Sequence, residues 1–331
     1  MDEMMPTPPA MRRTVVTLLL MVPLLLGLPL LGAWLDGHDL RQYLEFPPLT
    51  RYVEHAAFSW VGFVVFGLIT AAGLACLAWG WRYGRRHAAT APGAATGAPG
   101  VFPWWGWAGL AWGLLAWVMA WTRVAWFAPW QRLTFAPQWL GYILVVNALC
   151  EWRGRPSLLR RQPLGYLMLF PASAAFWWFF EYLNRYVQNW YYRGVETFSP
   201  VGYIAMATIC FSTVLPAVLS THDLLLTVPA LGRGLSRGRR VAAGWARPAA
   251  WFGLLLAGAG LAAVGVLPSL LFGLLWVSPF LIVLAVQVLA DQSPLLDELR
   301  RGDWRSLVAA PLAGLICGGF WELWNSLSLA R

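Results

Sequence analysis

Two short passages in an otherwise apolar chain hold residues able to do acid–base chemistry. Phe179, Glu181 and Asn184 form one, and Phe320, Glu322 and Asn325 the other, so the pattern F-x-E-x-x-N occurs twice. Side chains three residues apart leave a helix on one face. Each passage therefore presents a carboxyl group beside a carboxamide: the acid to give or take a proton, the amide to orient a substrate or a water. Arg185, four residues beyond Glu181, would neutralise one carboxylate, leaving the other acid to keep a proton and donate it. Trp178, Trp321 and Trp324 flank the pairs, offering an apolar wall and π faces that stabilise a cation. Glu322 and Glu181 are thus the candidate catalytic residues, with Asn184, Asn325, Arg185, Trp178, Trp321 and Trp324 as candidate substrate contacts. The polar stretch 36–55 ends in Glu54 and His55, which would complete an acid–base site on the same side. The structural alternatives are a Glu–Arg–Asn network that fixes helix packing and a plainly solvated loop.

Other chemistries are excluded by what the chain lacks. All 24 basic residues are arginine, which rules out a Walker-A phosphate loop, a Schiff base and a lysine nucleophile. The four histidines, at 38, 55, 87 and 222, form no HxH or HxxxH, and Cys76, Cys150, Cys210 and Cys317 form no CxxC. No metal site, haem or other cofactor is expected. A G-x-S-x-G elbow is missing too.

The elements that must position these residues follow from composition. Hydrophobic residues make up 59% of the 331 and charged ones 12%, half the share in soluble domains. This excludes a soluble enzyme, a disordered chain and a secreted disulfide scaffold, and predicts an all-α, polytopic helical bundle in a membrane. Nine segments are apolar enough over roughly 17–25 residues to cross ~30 Å of hydrocarbon: 14–34, 56–80, 104–122, 133–150, 164–180, 201–219, 249–267, 270–290 and 307–330. With a cytoplasmic N-terminus, 17 arginines fall in inside loops and 7 outside. That alternation predicts a bacterial-type inner-membrane protein with its C-terminus periplasmic. It also makes the net charge of +9 a topology signal, with no nucleic acid implied. The first segment is read as a span rather than a cleaved signal, since no small-x-small site follows it. Most of the 23 tryptophans lie near helix ends, as an aromatic belt requires.

The paired motifs belong to a longer likeness. Asn147, Glu151, Arg160–Arg161, Pro171 and Glu181 are matched by Gln287, Asp291, Arg300–Arg301, Pro311 and Glu322. Amide to acid is four residues in both, acid to arginine nine, arginine to proline eleven, and proline to the final acid ten or eleven. The expectation is a parallel three-plus-one-plus-three internal repeat preceded by two helices, a plan some transporters use. The organisation is then 1–84, a two-helix segment with a periplasmic loop; 85–102, a flexible cytoplasmic linker; 103–195, repeat one; 196–248, a connector helix and basic loop; and 249–331, repeat two.

Glu181 ends ~26 Å of helix counted from residue 164, whereas Glu322 follows only ~23 Å counted from residue 307. Glu322 is therefore expected within the outer leaflet, where an unpaired charge costs at least a few kcal/mol. Gly314 and Gly318 before it form a GxxxG that permits close helix contact, so the glutamate should point into the bundle. The inside-facing acids Glu151 and Asp291 are expected in interfacial ion pairs with Arg153, Arg155, Arg300 and Arg301. The first expectation for function is a membrane-embedded enzyme acting on a lipid or isoprenoid. The others are a transporter or flippase, and a non-catalytic subunit packed on another membrane protein.

Overall fold

A computed structural model describes residues 8–48, 50–89, 100–193, 198–242 and 244–329, with backbone alone at 8–16 and 18. Helix is the only regular structure among them. The helices are α1 Pro8–Leu35, α2 Trp60–His87, α3 Trp104–Trp121, α4 Phe135–Trp152, α5 Leu158–Arg161, α6 Pro163–Val187 and α7 Pro200–Ser212. They continue as α8 Val214–Leu225, α9 Pro229–Gly232, α10 Ala246–Ala263, α11 Pro268–Leu271, α12 Leu274–Leu289, α13 Pro294–Arg301 and α14 Arg305–Asn325. Each of the nine expected segments is mostly helix. Among the described residues five helices are long and apolar enough to cross a membrane: α2, α6, the run Pro200–Leu225, α10 and α14. Counting two bent pairs as single spans raises this to seven: α3 with the 3-10 turn Ala125–Leu133, at 110°, and α12 with α13, at 72°. α4 stands outside that set because Gln138, Asn147 and Glu151 interrupt its apolar run. The expected linker lies mostly outside the described residues, at 90–99, while α2 carries Arg82, Arg85 and Arg86 on to His87. Arg331 and the side chains of Arg12 and Arg13 are likewise undescribed.

Contacts group the chain into two units interleaved in sequence. The first comprises 1–58, 180–190 and 240–301. Within it α1, α10 and α12 pack together through small residues that bring backbones close. Gly32 lies against the Ala262 carbonyl, and a Cβ on Gly260 would stand 2.7 Å from Leu274. Ala246, Ala250, Ala285 and Val288 fill the core between α10 and α12.

The second unit comprises 59–179, 191–239 and 302–331. α3 and α4 form a close hairpin in which a Cβ on Gly141 would come within 2.6 Å of the Gly113 Cα. α4, α8 and α14 surround an aromatic core of Phe135, Trp139, Tyr166 and Trp324, with Trp117, Tyr142 and Trp321 packed around it. The sixth expected segment is broken between α7 and α8. Pro216 has no N–H for the Ser212 carbonyl four residues back. Ser173 patches the break, donating to Phe211 O at 2.5 Å and accepting from Leu215 N at 2.9 Å. Of the five long apolar helices α2 is the least covered, with Phe63, Leu68 and Ile69 more than 60% exposed.

Candidate functional site

The predicted residues divide between the two units. Glu181, Asn184 and Arg185, on the last turns of α6, belong to the first unit with Glu54 and His55. Glu322, Asn325, Trp321, Trp324 and Trp178 belong to the second.

In the first unit the end of α6 is tightly tied. Glu181 is 7% exposed and accepts a 2.8 Å hydrogen bond from the Trp190 indole. Asn184 closes the helix end: its Oδ1 accepts from Asn189 N at 2.9 Å and its Nδ2 donates to Trp190 O at 2.8 Å. Its amide is thereby occupied by the chain itself. Arg185 turns to Glu45 at 3.4 Å and to the Gln42 carbonyl at 2.8 Å, not to Glu181, and its guanidinium lies 5.2 Å from the Tyr52 ring. The pairing suggested by a four-residue spacing is thus replaced by one across 140 residues. Spacing along one helix cannot reveal a loop folding back on it.

Two residues that sequence reasoning missed hold this loop. Gln188, with a left-handed φ of 45°, accepts from the Tyr52 and Val53 amides at 2.9 Å each and donates to Thr50 O at 2.8 Å. Tyr52 donates to Arg185 O at 2.6 Å. Tyr43 stacks on Tyr186 at 4.4 Å and meets Tyr52 edge-on. Burial raises the phenol pKa of both Tyr43 and Tyr52 above the ordinary tyrosine value, and at Tyr52 the Arg185 charge offsets part of that rise. The aromatic richness of 42–55 was the available signal. Exposed His55 rests 3.2 Å from Gln188 O, and Glu54 is exposed beside it.

In the second unit Glu322 borders a cavity of about 290 Å³ lined by Trp139, Trp177, Val214, Val218, Gly314, Cys317, Gly318 and Trp321. Its carboxylate makes no hydrogen bond or ion pair among the described residues, and Glu322 is exposed at the cavity rather than buried in the bundle. The GxxxG glycines explain this departure from expectation. A Cβ at Gly314 or Gly318 would find nothing within 4 Å. The missing side chains open the cavity instead of seating another helix.

The aromatic wall is rigid. Trp321 lies 5.5 Å from Trp177 and 4.9 Å from Phe135. Trp324 is 6% exposed and 5.1 Å from Trp139, so it supports the wall from behind. Trp178 is half-buried and donates to Thr208 Oγ1 at 3.0 Å. Asn325 is half-buried one turn beyond the glutamate. Trp139, 1% exposed, has an indole N–H with no acceptor, an omission costing about 1–3 kcal/mol. Among the described residues, the cavity lining thus combines a carboxylate without a donor and a tryptophan whose N–H lacks an acceptor.

Polar side chains continue beyond the cavity. Cys317 lies beside Thr221, whose hydroxyl is 2.8 Å from Tyr142. Asn147 is wholly buried and donates to Tyr166 at 3.1 Å and Ser220 at 2.9 Å. Glu151 pairs with Arg160 at 3.3 Å and, in the first unit, Asp291 with Arg247 at 3.4 Å. Both acids make ion pairs, but with arginines other than the nearest in sequence. No family model, curated protein or solved structure is significantly similar to this chain.

Proposed function

We propose that the chain is a multi-pass membrane enzyme acting on a lipid or isoprenoid, with Glu322 as the proton donor and acceptor. The observation that carries this reading is the Glu322 cavity, whose lining is apolar and aromatic but for one carboxylate that makes no hydrogen bond or ion pair among the described residues. The hydrocarbon part of a substrate lies against Trp139, Trp177 and Trp321. The protonated Glu322 delivers its proton to a carbon–carbon double bond, and the carbocation rests against the indole faces. The cation is quenched when a neighbouring carbon loses a proton to the Glu322 carboxylate, directly or after an internal double bond has added and moved the charge, or when water adds and the resulting oxonium gives its proton to that carboxylate. Glu181 is the second acid of the proposal, held by Trp190.

The membrane setting is supported by α2, whose exposed apolar side chains would be costly to leave in water. Nine crossings, an N-terminus in the cytoplasm, a periplasmic C-terminus and a bacterial-type inner membrane remain our reading of the arginine pattern. The parallel repeat is supported by two like passages: α4 and α12 each lead into a short helix, α5 or α13, that ends in two arginines. Replacing Glu322 and Glu181 separately by glutamine and comparing membrane lipid extracts tests the assignment. A wild-type profile from Glu322→Gln, with an altered one from a gene deletion, removes the Glu322 assignment, and a wild-type profile from Glu181→Gln removes Glu181 from the proposal.

A transporter or flippase is the second reading. It draws on the buried and half-buried polar groups Asn147, Tyr166, Ser220, Thr221 and Tyr142, since an alternately accessible path requires polar groups within the bundle. Uptake or scrambling in reconstituted vesicles would favour it.

A further inference from the structure

Asp223 on α8 is a carboxylate with 6% of its side chain exposed, yet it lies at an arginine-rich helix end. Two guanidiniums from the segment between α4 and α6 converge on its Oδ1: Arg155 Nη2 at 3.0 Å and Arg161 Nη2 at 2.8 Å. Oδ2 has no donor. Of their N–H groups only one, on Arg161 Nη2, makes a hydrogen bond to the carboxylate, while Arg155 is held by the ion pair. The others make no bond to the described residues, and about a third of each side chain is exposed. One negative charge faces two positive ones, so a positive charge is left over.

The segment is built to hold this arrangement. Arg153 donates to Thr227 Oγ1 at 2.6 Å, and Glu151 accepts from Ser157 N at 2.8 Å. Gly154, at φ 75°, makes the left-handed turn between them. Asn147 Oδ1 accepts from Leu159 N at 3.3 Å. A pair of guanidiniums so fixed, with unspent donors in planar forks, matches the several acceptor oxygens of one phosphate.

We infer that Arg155 and Arg161, positioned by Asp223, form a binding site for a phosphate-bearing ligand. The site stands independently of the Glu322 cavity and of any activity there. The ligand is either a membrane phosphomonoester headgroup or a soluble phosphate or diphosphate.

The test uses purified full-length protein. Phosphatidic acid in neutral-lipid nanodiscs is one probe, and inorganic diphosphate, titrated into protein in non-ionic detergent, is the other. Arg155→Gln leaves Asp223 paired with Arg161, so the buried carboxylate stays compensated; Arg155→Gln/Arg161→Gln removes both. The exposed arginines of the basic loop, as Arg237→Gln/Arg239→Gln, are the control. Saturable binding of one equivalent is expected for at least one probe. We expect about a tenfold loss with Arg155→Gln, a larger one with the double variant and less than twofold with the control. Phosphatidic acid alone binding identifies the headgroup, and diphosphate alone the soluble ligand. The inference is overturned if neither probe binds stoichiometrically, if Arg155→Gln binds as well as wild type, or if the control loses as much.

Discussion

Glu322 and Glu181 carry the same motif but meet different surroundings. Glu181 is buried and already accepts a hydrogen bond from Trp190. Glu181→Ala should leave that indole without its acceptor and cost about 1–3 kcal/mol in denaturant unfolding of the detergent-solubilised protein. Glu322 has no such structural duty, so Glu322→Gln should leave unfolding within about 0.5 kcal/mol of wild type. The glycines beside it give a sharper contrast. Gly318→Leu adds bulk to open space, and should block the cavity while shifting the melting temperature by only about 2–4 °C. Calorimetry and a lipid extract from the same cells measure the two halves of that expectation. Legibility at this scale was uneven. The Glu-x-x-Asn spacing pointed to both acids, but GxxxG reads alike whether a helix or a void lies against it. Only the neighbours decide.

At the scale of elements, close contact between helices is set by the glycines that do meet a neighbour. Gly141→Leu at the α3–α4 crossing should cost about 3 kcal/mol or more, because the first added carbon already meets backbone. The 36–59 loop depends on protonation in a defined direction. Tyr43 and Tyr52 have raised phenol pKa values, so the folded loop binds their protons more tightly than the unfolded chain does. Its docking is fully retained below the ordinary phenol range near ~10 and weakens as pH rises beyond it. Tyrosinate absorbance and amide exchange over 40–55 should change together there, and exchange unchanged at high pH would contradict the linkage. Apolar runs marked where the helices lie. They did not separate α7 from α8, which Pro216 divides, nor show that α4 spends its polar residues inside the second unit.

For the whole molecule, we propose from the arginine pattern that loops 36–59 and 233–247 face opposite sides of a membrane. Single cysteines in a chain freed of its four natural ones, probed with an impermeant thiol reagent, should label in the first loop and not the second on intact spheroplasts. Labelling of both or neither would remove the orientation. The hydropathy of the chain made the helical architecture readable, because lipid requires long apolar runs. It could not expose contacts such as Arg185–Glu45 or Arg161–Asp223, which form between distant segments.

In our proposal Glu322 supplies and recovers a proton in the tryptophan-walled cavity. That role is tested most directly by complementing a deletion strain with wild type, Glu322→Gln, Glu322→Asp and Gly318→Leu at matched membrane levels, then comparing lipid extracts. Wild type should restore the lipid missing from the deletion strain, aspartate part of it, and glutamine and Gly318→Leu none. Full restoration by Glu322→Gln would contradict that role.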